Sequence, residues 1–125
     1  MLYPLYTNKQ INIPYLLKIG DGKVKKIGKY LANKNLTNAV IFWSEGIQRL
    51  LADRLYPGLE ENGVKAVYEQ DVRFINIEEI TKITFSLPKA AEVIVGIGGG
   101  KALDFAKFSA HLLKLPFVSV PTSTS

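Results

Sequence analysis

Apolar residues recur along this chain in two alternating rhythms. Short unbroken runs, "NAVIFW" at 38–43, "EVIVGI" at 92–97 and "PFVSVP" at 116–121, have the character of strands buried on both faces. "YLLKIG" at 15–20 and "VKAVYE" at 64–69 predict two more strands. Between the runs the spacing becomes helical. In "DGKVKKIGKYLANK", Val24, Ile27, Gly28 and Leu31 share one stripe and the lysines take the opposite side. In "EGIQRLLADRLYPGLEENG" the stripe is Ile47, Leu50, Leu51 and Leu55; Pro57 is expected to kink or end that helix, and Gly63 to close the segment. "NIEEITKITFSLPKA" opens on Asn76 with Glu79 three residues later, a capping-box arrangement, and turns Ile77, Ile80, Ile83, Thr84 and Leu87 inward. "KALDFAKFSAHLLK" at 101–114 predicts the last helix. Strand, helix, strand at this spacing predicts an α/β fold, a doubly wound parallel sheet built from βαβ units. Such sheets bind ligands beyond the carboxyl ends of their strands. Three polar loops fall there: "SEG" after 38–43, "GGGK" after 92–97 and "TSTS" after 117–120.

The second of these loops carries the strongest chemistry. In "VIVGIGGGKALDFAK" four glycines occupy five positions, and a lysine follows. Consecutive glycines cost backbone entropy, so the site needs close approach to the backbone or a turn that a Cβ forbids. A strand running through Gly98, Gly99, Gly100 and Lys101 into a helix supplies both. The helix start offers N–H groups and a partial positive charge to a phosphate, and Lys101 adds a full one. Asp104, one turn on, can accept from ribose hydroxyls or orient Lys101. A tight turn with close helix–sheet packing is the plainer reading of the same glycines. A P-loop would need glycine at Val95 and Ser or Thr at Ala102, and a G-x-G-x-x-G fingerprint from Gly96 would need a small residue at Lys101. Neither holds, and the fourth strand, not the first, feeds this loop.

Composition narrows the reading. With 125 residues, 47% of them hydrophobic, the chain is one domain able to bury a core. The lack of cysteine excludes a disulfide framework, a thiol nucleophile and cysteine-held metal. The net charge of +5 is local: residues 1–34 hold seven lysines against Asp21 alone, and the rest of the chain sums to −1. The excess sits in "DGKVKKIGKYLANKN", whose lysines lie opposite the apolar stripe without clustered arginine or interleaved aromatics, so a solvated face is expected and no nucleic-acid partner. No apolar run approaches the roughly 18 residues of a membrane span, and "MLYPLYTNKQ" lacks the order of a signal peptide. A cytoplasmic protein without a membrane partner is expected. Trp43 reads as core and His111, the single histidine, as a helix-face residue. Ser119 and Ser123 lack His and Asp at triad spacing, which argues against a serine nucleophile.

"GIGGGKALDFAK" followed by "LPFVSVPTSTS" resembles the glycerol dehydrogenase and glycerol-1-phosphate dehydrogenase branch of the iron-containing alcohol dehydrogenase and dehydroquinate synthase superfamily. That pattern is G-G-G-x-x-x-D-x-A-K, then a strand and P-T-x-x-S, matched by Gly98, Gly99, Gly100, Asp104, Ala106, Lys107, Pro121, Thr122 and Ser125. The resemblance implies a Rossmann-like nucleotide domain followed by a helical domain, with the active site between them. Residues 1–125 are then a dinucleotide-binding domain, expected to be truncated at its C-terminal end because the chain stops directly after a strand. Implied roles follow matched positions: Gly98, Gly99, Gly100 and Lys101 at the pyrophosphate, Asp104 by the nicotinamide-side ribose, and Thr122 and Ser125 near the adenine and phosphate side; Ser123, between those two, is counted with the cofactor-binding residues. Ser44 falls where relatives often carry an acidic residue for the adenosine ribose, with Glu45 beside it, which implies use of both NAD and NADP with NAD favoured. The implied reaction is hydride transfer between a polyol such as glycerol or glycerol 1-phosphate and nicotinamide. A divalent metal, zinc first and iron or nickel as alternatives, would be bound by the missing domain; no catalytic or metal ligand is expected in this chain. Its partner would be a small-molecule polyol or polyol phosphate, and a homo-oligomer is expected. A 3-dehydroquinate synthase-like enzyme and a non-catalytic nucleotide-binding module are the alternatives.

Overall fold

The computed structural model describes residues 15–16 and 21–122. Five parallel strands, β1 (Tyr15–Leu16), β2 (Asn38–Ser44), β3 (Lys65–Val72), β4 (Val93–Gly98) and β5 (Phe117–Pro121), form one sheet in the order β1-β5-β4-β2-β3. A 3-10 segment, Asp21–Lys26, runs into α1 (Ile27–Asn33); α2 (Gln48–Glu61), α3 (Ile77–Thr84) and α4 (Gly100–Leu113) connect the later strands. This is the doubly wound α/β sheet that the pattern predicts.

Strand alternation divides the core into two layers. Ala39, Ile41 and Trp43 of β2 and Val93, Val95 and Ile97 of β4 pack with Val24, Ile27, Leu31, Leu51, Leu55 and Leu59 under α1 and α2. Val40, Phe42 and Ile94 face the other way, against Ile80 of α3 and Ala102, Phe105, Ala106 and Ala110 of α4. Burial on both faces is why β2 and β4 read as continuous apolar runs. Phe42 and Phe105 rings lie 4.8 Å apart across the second layer. There the two buried hydroxyls of Thr84 and Ser109 satisfy each other at 2.8 Å. Two glycines set how closely helices approach. A Cβ on Gly28 would lie 2.3 Å from the Gly58 carbonyl oxygen, so α1 and α2 touch backbone to backbone. A Cβ on Gly96 would lie 2.8 Å from that of Ala106, so α4 sits directly on β4.

The Asn76 cap is observed: its side-chain oxygen accepts from the Glu79 N–H at 2.9 Å. Three expectations are corrected. Pro57 does not end α2, which runs through it to Glu61, because Leu55, Gly58 and Leu59 on either side of the proline are locked into the core while Pro57 itself faces out. Packing of the buried stripe outweighs the lost hydrogen bond. Leu50 is 55% exposed, since the stripe follows Ile47, Leu51, Leu55 and Leu59 at four-residue steps and Leu50 lies a quarter-turn off it. Ile77, at the first position of α3, is 62% exposed beside exposed Phe74 and Ile75. Of the strand expected at 15–20, positions 17–20 lie outside the described residues.

Candidate functional site

Strand order places the site. From β2 the chain moves outward to β3 and then crosses back to β4, on the other side of β2. The connections therefore diverge between the carboxyl ends of β2 and β4, the position where doubly wound sheets open a ligand crevice. Ser44 ends one strand and Gly98 the other.

The glycines there do three different things. Gly98 has φ of +132°, a conformation closed to other residues, and a Cβ on it would lie 2.2 Å from Ser44 Oγ. Gly99 caps α4 in an extended conformation and its N–H donates to Ser44 Oγ at 2.7 Å. Gly100 begins the helix, and a Cβ on it would meet nothing within 4 Å. The loop is therefore clamped from the β2 side and open above the helix. Its other flank is tied to β5: Pro121 pairs with Gly98, and the Thr122 N–H donates to the Gly98 carbonyl at 3.1 Å.

Helix α4 carries no acidic residue in its first turn and no side-chain cap, so no carboxylate or hydroxyl of the helix itself covers its leading N–H groups. Lys101 is exposed on that turn, and Asp104 is exposed just past it. A 14-residue helix starting under open space, with a lysine at its second position, fits an anionic phosphate in charge and in clearance. The structure thus brings together Ser44, Gly98, Gly99 and Thr122 in direct contact, with Gly100 and Lys101 on the adjoining first turn of α4 and Asp104 just past it. Ser123 and Ser125 lie outside the described residues.

A family model described as iron-containing alcohol dehydrogenase matches residues 18–125. The chain belongs to the iron-containing alcohol dehydrogenase family. Its relatives in this family include glycerol-1-phosphate dehydrogenase of Metallosphaera sedula, whose name specifies NAD(P)+, 29% identical over 117 residues, 92% of this chain and 33% of that one. Glycerol dehydrogenase 1 of Schizosaccharomyces pombe is 30% identical over 91 residues, 70% of this chain and 20% of that protein. This chain thus spans a third or less of the length of these curated relatives. The solved glycerol dehydrogenase of S. pombe superimposes with a TM-score of 0.74 at 24% identity, over 87% of this chain and 28% of that one. An iron-containing alcohol dehydrogenase of Thermotoga maritima gives 0.72 at 22%, over 87% and 36%. These two likenesses support the fold.

Sequence reasoning missed one charged residue at this edge. Arg73, directly after β3, lies with Nε 3.6 Å from Oε2 of Glu45, directly after β2. The matching position of each residue, one past a strand end, is the signal that could have joined them. Among the described residues no three His, Asp or Glu side chains are grouped to hold a metal ion, and no helix is long and apolar enough to cross a membrane.

Proposed function

We propose that this chain is the cofactor-binding half of an NAD(P)-dependent polyol dehydrogenase acting on glycerol, glycerol 1-phosphate or a close relative. One observation carries the reading: at the switch point between β2 and β4, a glycine loop clamped by Ser44 leads into a helix start that is open above Gly100. Gly98, Gly99 and Gly100 let a pyrophosphate reach the backbone of α4, and Lys101 supplies a charge beside it. Ser44 holds the Gly99 peptide in place, so its hydroxyl serves the loop's shape. Asp104 stands one turn down as an acceptor for a ribose hydroxyl, and Thr122 flanks the loop on the β5 side. Ser123 and Ser125 would extend that flank. When bound, nicotinamide supplies the two-electron acceptor, and a divalent metal held outside the described residues would polarise the alcohol oxygen. Zinc is the metal favoured, and a homo-oligomer in the cytoplasm the expected setting.

The test is a rate measurement on the full-length protein with glycerol, glycerol 1-phosphate and both cofactors, paired with calorimetric titration. Reduction of NAD or NADP is expected with one of the two polyols. Lys101→Ala should weaken cofactor binding about tenfold or more, the loss of one charge-assisted contact. Cofactor binding without turnover on any polyol would leave a nucleotide-binding module instead, and no binding at all would remove the reading.

A further inference from the structure

Ser44 and Val72 are register partners in the sheet, so Glu45 and Arg73 leave β2 and β3 side by side at the rim of the crevice. Ser44 Oγ is engaged by the Gly99 N–H at 2.7 Å. The charge at this rim therefore lies with the two residues that follow the strand ends. Their ion pair is loose: the closest approach, 3.6 Å, exceeds hydrogen-bond length, and the side chains are 62% and 60% exposed. Pairs of that kind contribute little and exchange partners readily. Arg73 is also among the residues lining a cleft of about 330 Å³, with Gln70, Asp71, Val72, Phe74 and Glu79.

A dinucleotide laid across the switch point, with its pyrophosphate over α4, puts one nucleoside on the β2–β3 side. A carboxylate at a strand end there accepts from a ribose 2′-hydroxyl and repels a 2′-phosphate, whereas an arginine accommodates the phosphate. This rim holds one of each, already facing one another. We propose that Glu45 and Arg73 together set the choice between NAD and NADP, an inference that rests on the dinucleotide reading above. Glu45 accepts from the adenosine 2′-hydroxyl of NAD. For NADP, Arg73 leaves Glu45 and takes the 2′-phosphate, two of whose oxygens its planar guanidinium can bind at once, as a lysine ammonium does not. The pair keeps both cofactors usable, because each displaces only a weak surface contact.

Binding, not turnover, tests this. The full-length protein, Arg73→Gln, Arg73→Lys and Glu45→Gln are titrated calorimetrically with NAD and with NADP at low and high salt, with thermal unfolding run alongside to check that each variant folds. Arg73→Gln should weaken NADP about tenfold and leave NAD within about twofold, and Arg73→Lys should restore part of the loss. Glu45→Gln should tighten NADP and weaken NAD a few-fold. The steeper salt dependence of NADP should disappear in Arg73→Gln. Binding of either cofactor by the parent protein with an NAD to NADP ratio unmoved in all three variants overturns this inference alone. Binding of neither cofactor by the parent protein overturns the dinucleotide reading and this inference with it.

Discussion

At Gly98 a methyl group would strike Ser44 Oγ at 2.2 Å, and φ of +132° is hostile to any side chain. At Gly100, two residues on, the same methyl would enter open space. Substituting each therefore separates folding from binding. Gly98→Ala should destabilise by at least about 2 kcal/mol, combining a left-handed backbone penalty with overpacking. Gly100→Ala should leave the melting temperature unchanged or slightly raised, since alanine suits a helix better than glycine by up to about 1 kcal/mol. Its added methyl nevertheless occupies the approach to the helix start, so affinity for NAD should fall about tenfold or more. Thermal unfolding and calorimetric titration read the two effects. A Gly100→Ala protein that binds as tightly as its parent would show that the open space is not where the phosphate sits.

Between elements, one polar network bridges β2, α2 and β3. Glu69 Oε1 accepts from Trp43 Nε1 at 2.8 Å, from Tyr56 OH at 2.6 Å and from Gln48 Nε2 at 3.3 Å. Burial pushes the Tyr56 phenol from 10.0 up to about 12, the hydrogen bond to Glu69 adds to the rise, and the hydrogen bond that Gln48 donates pulls partly against it. Because the folded value lies above the unfolded one, the neutral phenol's contribution is complete below pH 10 and is lost as pH climbs towards about 12. Urea unfolding followed from about pH 9 to about pH 11.5 should show the parent losing stability faster than Tyr56→Phe, which has no phenol to ionise. Parallel pH curves for the two proteins would mean that the network does not hold Tyr56 neutral.

Across the whole molecule, stability should grade from the middle of the sheet outward. Strands β2 and β4 lie between neighbours and under helices on both faces, while β3 is an edge strand with half-buried positions along most of its length. Native-state hydrogen exchange should find the slowest amides in Val40–Phe42 and Ile94–Val95, with β3 exchanging faster. Equal protection in β3 and β4 would contradict that ordering. Adding NAD should slow exchange in the first turn of α4 beyond its effect elsewhere.

Much of this architecture was legible in the residues themselves. Unbroken apolar runs mark β2, β4 and β5 because a strand covered on both faces has no polar side to show. Val24, Ile27, Gly28 and Leu31 mark the 3-10 segment and α1 that follows it, because successive helical turns return to the same face. The glycine cluster marks the loop because φ at Gly98 admits no side chain. Local rules failed where distant packing outweighed them. Pro57 sits inside a helix because Gly58 meets the backbone at Lys25, and Leu50 faces out because the core follows a different four-residue step. The partners of the site were hidden for the same reason. Ser44 holds Gly99 from 55 positions away, and Arg73 reaches Glu45 from the next strand. Spacing along a chain reports which face a residue takes within its own element. Which residues from different elements then meet is decided only when strand order and register bring the strand ends together, and here that happens at the crevice between β2 and β4.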